Sequence, residues 1–144
     1  AVGDFSSGFI SQALRSRKKI VRVFILLTLA AILTYLYFPI ETPTTFYTIC
    51  FILGFAIGYW ALFVTIAAEQ FGTNLRSTVA TTVPNFIRGT VVPITLSFRF
   101  LRMEFGIIQG ALIVGVITII IALWALRGID ETFARDLNYV EEDT

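Results

Sequence analysis

Long apolar runs alternate with short polar connections along this chain, and the alternation predicts its architecture. Four runs stand out, at 20–38, 44–68, 77–97 and 106–126. Each is close to the ~20 residues that an α-helix needs to cross ~30 Å of hydrocarbon. A backbone in lipid must satisfy its own polar groups, so runs of this length are expected to be transmembrane helices. Residues 1–19 read as the end of a preceding helix followed by a basic loop. In the polar tail, 127–144, Ile129, Phe133 and Leu137 fall on one helical face, as in an amphipathic helix lying on a membrane surface. The expected fold class is an all-α membrane protein with four transmembrane helices. Its connections are short, so successive helices should be antiparallel neighbours. Pro39 and Pro43 punctuate the turn between the first two spans, with Tyr35, Tyr37, Phe46 and Tyr47 around it as interfacial aromatics.

Composition agrees. Of the 144 residues 56% are hydrophobic and 15% charged, and the mean hydropathy is +0.81; about a quarter of a soluble domain is charged. The chain has no histidine and a single cysteine, Cys50, inside an apolar run. Imidazole chemistry and an internal disulfide are therefore excluded, and Cys50 reads as a structural thiol. There is no Gly-rich phosphate loop, Ser/His/Asp set or paired-carboxylate arrangement. We expect no enzyme active site, no metal, no cofactor and no nucleic-acid partner, with the lipid bilayer as the main surroundings. The opening Ala1-Val2-Gly3-Asp4 has neither an initiator Met nor a signal peptide, which suggests a fragment.

Charge placement predicts orientation. Arg15, Arg17, Lys18, Lys19, Arg22, Arg76, Arg127 and Arg135 fall at one set of connections and the tail, whereas the alternate connections hold only Arg99 and Arg102. Basic short loops stay cytoplasmic. The eight-residue set should therefore be cytoplasmic, together with the C-terminus, in a cell (inner) membrane.

Two runs carry polar or small residues inside the expected membrane depth. The third contains Pro84, Asn85, Arg88, Gly89 and Pro93. An Arg near the centre of a lone lipid-facing helix costs ~2.5–3.5 kcal/mol on insertion scales, so protein or a watery cavity should surround this helix. Arg88, helped by Asn85, either contacts an anionic substrate or gates its path, or else it pairs with an acid on a helix outside this chain. In the second run Gly54 and Gly58 form a small-xxx-small pair that suits close helix packing, and Gly106 and Gly110 form another. No acidic residue lies inside the four runs, so the carboxylates of any proton coupling are expected elsewhere.

The stretch Gly8-Phe9-Ile10-Ser11-Gln12-Ala13-Leu14-Arg15-Ser16-Arg17-Lys18 resembles a loop pattern of the major facilitator superfamily of transporters. That pattern is Gly, three residues, an acid, a base, one residue, Gly, one residue and two bases. Gly8, Arg17 and Lys18 match it; Gln12, Ala13 and Arg15 depart from the acid, the first base and the second Gly. The stretch from Glu69 to Arg76 is similar to the acid-to-arginine loop between the tenth and eleventh helices of that family. The resemblance covers the whole chain and implies the last third of a twelve-helix bundle, with the missing N-terminal helices as partners. It further implies alternating access for a small-molecule substrate, with Tyr59 or Trp60 touching that substrate from the tenth helix. The alternative is a complete small four-helix membrane protein, either a dimeric transporter or a non-transporting scaffold.

Overall fold

The computed structural model describes residues 1–134, 138 and 140. Six helical segments follow in order: α1 (Val2–Ala13), α2 (Arg17–Tyr37), α3 (Pro43–Ala56), α4 (Trp60–Glu69), α5 (Thr73–Phe105) and α6 (Ile107–Gly128). No strand occurs among the described residues. Ser16 caps α2 by accepting from the Lys19 N–H at 3.3 Å. Thr42 caps α3, accepting from the Thr45 N–H at 3.2 Å, with Pro43 in the first turn, where its missing N–H costs nothing.

Three helices are long and apolar enough to cross a membrane: Arg17–Tyr37, the rod Pro43–Glu69 formed by α3 and α4, and Ile107–Gly128. The helices differ from the four expected runs in several respects. With the rod taken as one, there are five helices among the described residues, because α1 is a helix of twelve residues in its own right. The second run is broken at Ile57–Tyr59, where the Gly58 N–H turns back to the Phe55 carbonyl at 3.0 Å. The third run lies within a 33-residue helix, about 50 Å long at 1.5 Å per residue, but its Asn, Arg, Pro and hydroxyl residues keep it out of the apolar class. That helix carries Arg99 and Arg102, which were expected in a loop. The turn into α6 is Gly106 alone, at φ +84°, a backbone conformation that glycine adopts without strain. Finally, Ile129–Ala134 is not helical, so no amphipathic helix starts there; Leu137 lies outside the described residues.

α2 is the hub, packing against α1, α3, α4 and α6, whereas α5 packs only against α4 and α6. The core gathers Ile20, Val21, Phe24 and Ile25 of α2, Leu62 and Ile66 of α4, and Ile119 and Leu126 of α6. Phe24 lies 5.8 Å from Phe55 and 6.3 Å from Tyr59, ring to ring, distances typical of favourable aromatic pairs. These residues all lie toward the end of the bundle where α2 begins and α4 and α6 finish.

α1 docks through small residues. Gly3, Ser7 and Ser11 are its buried face, a four-residue spacing that lets backbones approach. A Cβ on Gly3 would come within 2.8 Å of the Gly58 Cα. The Gly54/Gly58 pair is thus divided: Gly58 meets α1, and nothing lies within 4 Å of where a Gly54 side chain would start. Gly110 packs on the α5 backbone at Arg102. Because Gly58 sits in the middle of the rod, Asp4 lies at mid-depth of the bundle. An acid is therefore present at a level where the apolar runs contain none.

Candidate functional site

The basic end of the bundle is held by a clamp of polar groups from three places: the start of α2, the end of α4 and the exit of α6. Arg17 at the start of α2 and Glu69 at the end of α4 form an ion pair between Nη1 and Oε2, with side chains 16% and 8% exposed. Burial to that degree weakens solvent screening and raises the cost of losing either partner. Lys18 extends its Nζ to the Arg127 carbonyl at 3.1 Å and the Ile129 carbonyl at 2.5 Å. Those carbonyls belong to the last turn and exit of α6, where a cation offsets the negative helix end.

Glu131 makes the reciprocal contact. Its carboxylate accepts from the Ser16 hydroxyl, from the Arg17 N–H at 3.0 Å and from the Lys18 N–H at 3.3 Å. Partial burial pushes this carboxyl up, but those donors and the Phe133 N–H together hold it below its usual range. Its position at the N-terminus of α2 suits an anion, since the first N–H groups of a helix lack intrahelical partners. Gln70 adds a fourth tie, donating from Nε2 to the Asp130 carbonyl at 3.0 Å. The segment after α6 is thus strapped across the start of α2 and the end of α4, with its own Thr132 buried.

Of the loop residues singled out in the sequence, Arg17, Lys18 and Glu69 meet here. Arg76 lines a cleft of about 490 Å³ with Glu69, Thr65, Thr73 and Ser77 between α4 and α5, and its Nη2 donates to the Phe71 carbonyl at 3.4 Å. Gly8 takes no part beyond accepting from the Ser11 hydroxyl at 2.7 Å. Arg15 has φ +48°, the left-handed conformation in which glycine is favoured. Sequence reasoning missed Ser16, Gln70, Glu131 and Asp4. Glu131 and Ser16 are 115 residues apart, and no local pattern could pair them.

The residues expected at mid-membrane divide into two groups. Tyr59 and Trp60 flank the break between α3 and α4 and line a cavity of about 380 Å³ with Val21, Ile25, Ile87 and Leu126. The rest of the lining is also apolar, so among the described residues their hydroxyl and indole N–H are its only polar side-chain groups. Arg88 and Asn85 lie apart from it on the exposed side of α5, 3.5 Å from each other between Nη1 and Oδ1. Asn85 also borders a groove of about 550 Å³ with Thr82, Phe86, Gly89 and Pro93. No cluster of three metal-ligating side chains occurs among the described residues. The chain matches no family model, no curated protein and no solved structure.

Proposed function

We propose that this chain is the C-terminal segment of a secondary active transporter of the major facilitator type, moving a small solute by alternating access. The carrying observation is the Arg17–Glu69 ion pair. It joins the two loops whose residues resemble that family, although 52 positions separate them. Two further features favour the reading. Arg15 occupies the second glycine of the loop pattern and holds a glycine-like backbone. The 33-residue α5 leaves every one of its residues less than fully buried, as suits a helix facing partners outside this chain.

In this reading α5 is a fourth crossing. It is joined to α4 by three residues and to α6 by one, and it packs along both. A helix so tethered between two membrane spans has nowhere else to run. The basic end then faces the cytoplasm, and Arg88 and Asn85 face the missing bundle. Tyr59 and Trp60, beside the break in the rod, are the residues proposed to touch substrate from this half.

The test is gradient-driven uptake by the complete protein in proteoliposomes, across a panel of small solutes under imposed proton and sodium gradients. Accumulation that an ionophore dissipates is expected. Orientation is checked separately, in a Cys50→Ser background. Thr42→Cys should react with an impermeant thiol reagent outside intact cells, and Thr73→Cys should not. A protein that inserts in this orientation but moves no solute would leave the scaffold alternative.

A further inference from the structure

We propose that the exposed side of α5 lines an aqueous path selective for an anionic solute bearing carboxylate or phosphate oxygens. The inference rests on the transporter reading, which supplies the opposite wall. Thr81, Asn85, Arg88, Thr95, Arg99 and Arg102 recur at steps of four and three residues, with Val92 filling the one apolar position in the series. Steps averaging 3.5 residues keep a set of side chains on one slowly drifting stripe of a helix. From Thr81 to Arg102 that stripe is about 32 Å long at 1.5 Å per residue, the thickness of the hydrocarbon core. Every residue of it is exposed, and α5 touches only α4 and α6. A polar stripe therefore runs the full depth of the membrane with no cover from the described residues.

Its sign is positive. The stripe holds three arginines and no acid; the only acid on α5, Glu104, lies beyond it. No ion pair to Arg88, Arg99 or Arg102 occurs among the described residues. Lipid is a poor neighbour for Arg88, which would face the hydrocarbon centre at a cost of ~2.5–3.5 kcal/mol. A second copy of α5 packed along the same stripe would oppose arginine to arginine, and like charges across an interface are repulsive. Water with an anion satisfies all three arginines. Asn85 gives its amide N–H to the Thr81 carbonyl at 3.1 Å and turns its oxygen toward Arg88. That contact steadies one edge of the guanidinium and leaves its other donors for a ligand. The planar fork matches carboxylate and phosphate oxygens in pairs. Arg99 and Arg102 then draw anions in from one end, toward Arg88 about 16 Å further along the helix.

The test compares two thiol reagents of similar size and opposite charge, the sulfonatoethyl and trimethylammonioethyl methanethiosulfonates. They are applied to membranes holding the complete protein with Thr81→Cys or Thr95→Cys in a Cys50→Ser background. Rates are normalised to those with a free thiol in solution. The anionic reagent should react about tenfold faster at both positions, the range that field focusing in a charged cleft produces. Arg88→Gln should bring the ratio close to one at Thr81→Cys while Arg99 and Arg102 keep part of it at Thr95→Cys, and Arg88→Lys should keep most of it at both positions. Equal rates, or a faster cationic reagent, would overturn the anion selectivity while leaving an aqueous path and the transporter reading intact. No reaction with either reagent would mean that a packed helix seals the stripe; the anion path would fall, while the transporter reading, tested by uptake, would stand.

Discussion

α2 and α5 show how differently two helices of one bundle can be used. α2 contacts four other helices and buries Ile20, Val21, Phe24 and Ile25. α5 is half as long again, contacts two helices and buries no residue completely. Their sequences differ in the same sense. The interior of α2 is almost wholly aliphatic and aromatic, with its charges gathered in the first turns, whereas α5 spreads arginines, an asparagine, prolines and hydroxyls along its length. A helix whose neighbours all lie within the chain can be apolar all round. One that carries polar groups through a membrane needs something outside the chain to meet them. α2 thus finds four neighbours within the chain, and the α5 face is where the proposed transporter reading places the helices or solute that lie outside it.

The ion pair at the anchored end offers the sharpest way to break this contrast. Glu69→Ala should destabilise the protein by about 3–5 kcal/mol, because it strands the Arg17 guanidinium in a buried site. The double change Arg17→Met with Glu69→Leu should recover most of that loss. Arg88→Ala on the open face should cost much less stability. Thermal unfolding in detergent reads all three, and equal losses at Glu69 and Arg88 would erase the distinction between the two regions.

A second comparison lies within the rod. Gly58→Ala places a methyl against the α1 backbone at Gly3 and should cost about 1–3 kcal/mol. Gly54→Ala enters open space and should stabilise by about 0.5–1 kcal/mol through the better helix former. Similar effects at both glycines would show that α1 does not dock where the Gly3 contact puts it.

A smaller effect is expected at the loop. Arg15→Gly removes the penalty of a left-handed arginine and should stabilise by about 1 kcal/mol; a loss of stability would mean that the Arg15 side chain matters more than its backbone.

The smallest effect concerns the strap and depends on pH. The Glu131 carboxyl is held below its usual range in the folded state. Its stabilising contribution is then complete above the ordinary glutamate pKa, about 4.3, and is lost as pH falls through the lower folded value. Stability measured from pH 7 down to pH 2.5 should converge between wild type and Glu131→Gln at the acid end, with wild type higher above it. Parallel curves would exclude this linkage.

Much of the architecture was legible in advance because burial in lipid imposes a long-range rule on local sequence. The apolar runs at 20–38 and 106–126 each match a helix, α2 and α6, to within one residue at the overhanging end. The broken rod and the unbroken 33-residue α5 were not legible. Glycine and proline bias a backbone locally, but Pro84 and Pro93 sit inside a continuous helix while the Ile57–Tyr59 turn falls where α1 crosses. The loop residues Arg17, Lys18 and Glu69 were visible as charges of a pattern; their partners across the bundle were not.

The sequence by itself determined an all-helical chain with membrane-length apolar helices, since hydropathy and helix length are properties of contiguous residues. Only the tertiary structure decided which charges neutralise one another. Arg17 with Glu69, Lys18 with the end of α6, and Glu131 with the start of α2 are brought together by antiparallel packing, which places residues more than fifty positions apart at one end of the bundle. The same packing left the arginine stripe of α5 uncovered, because a helix face is exposed or buried by its neighbours, not by its own residues.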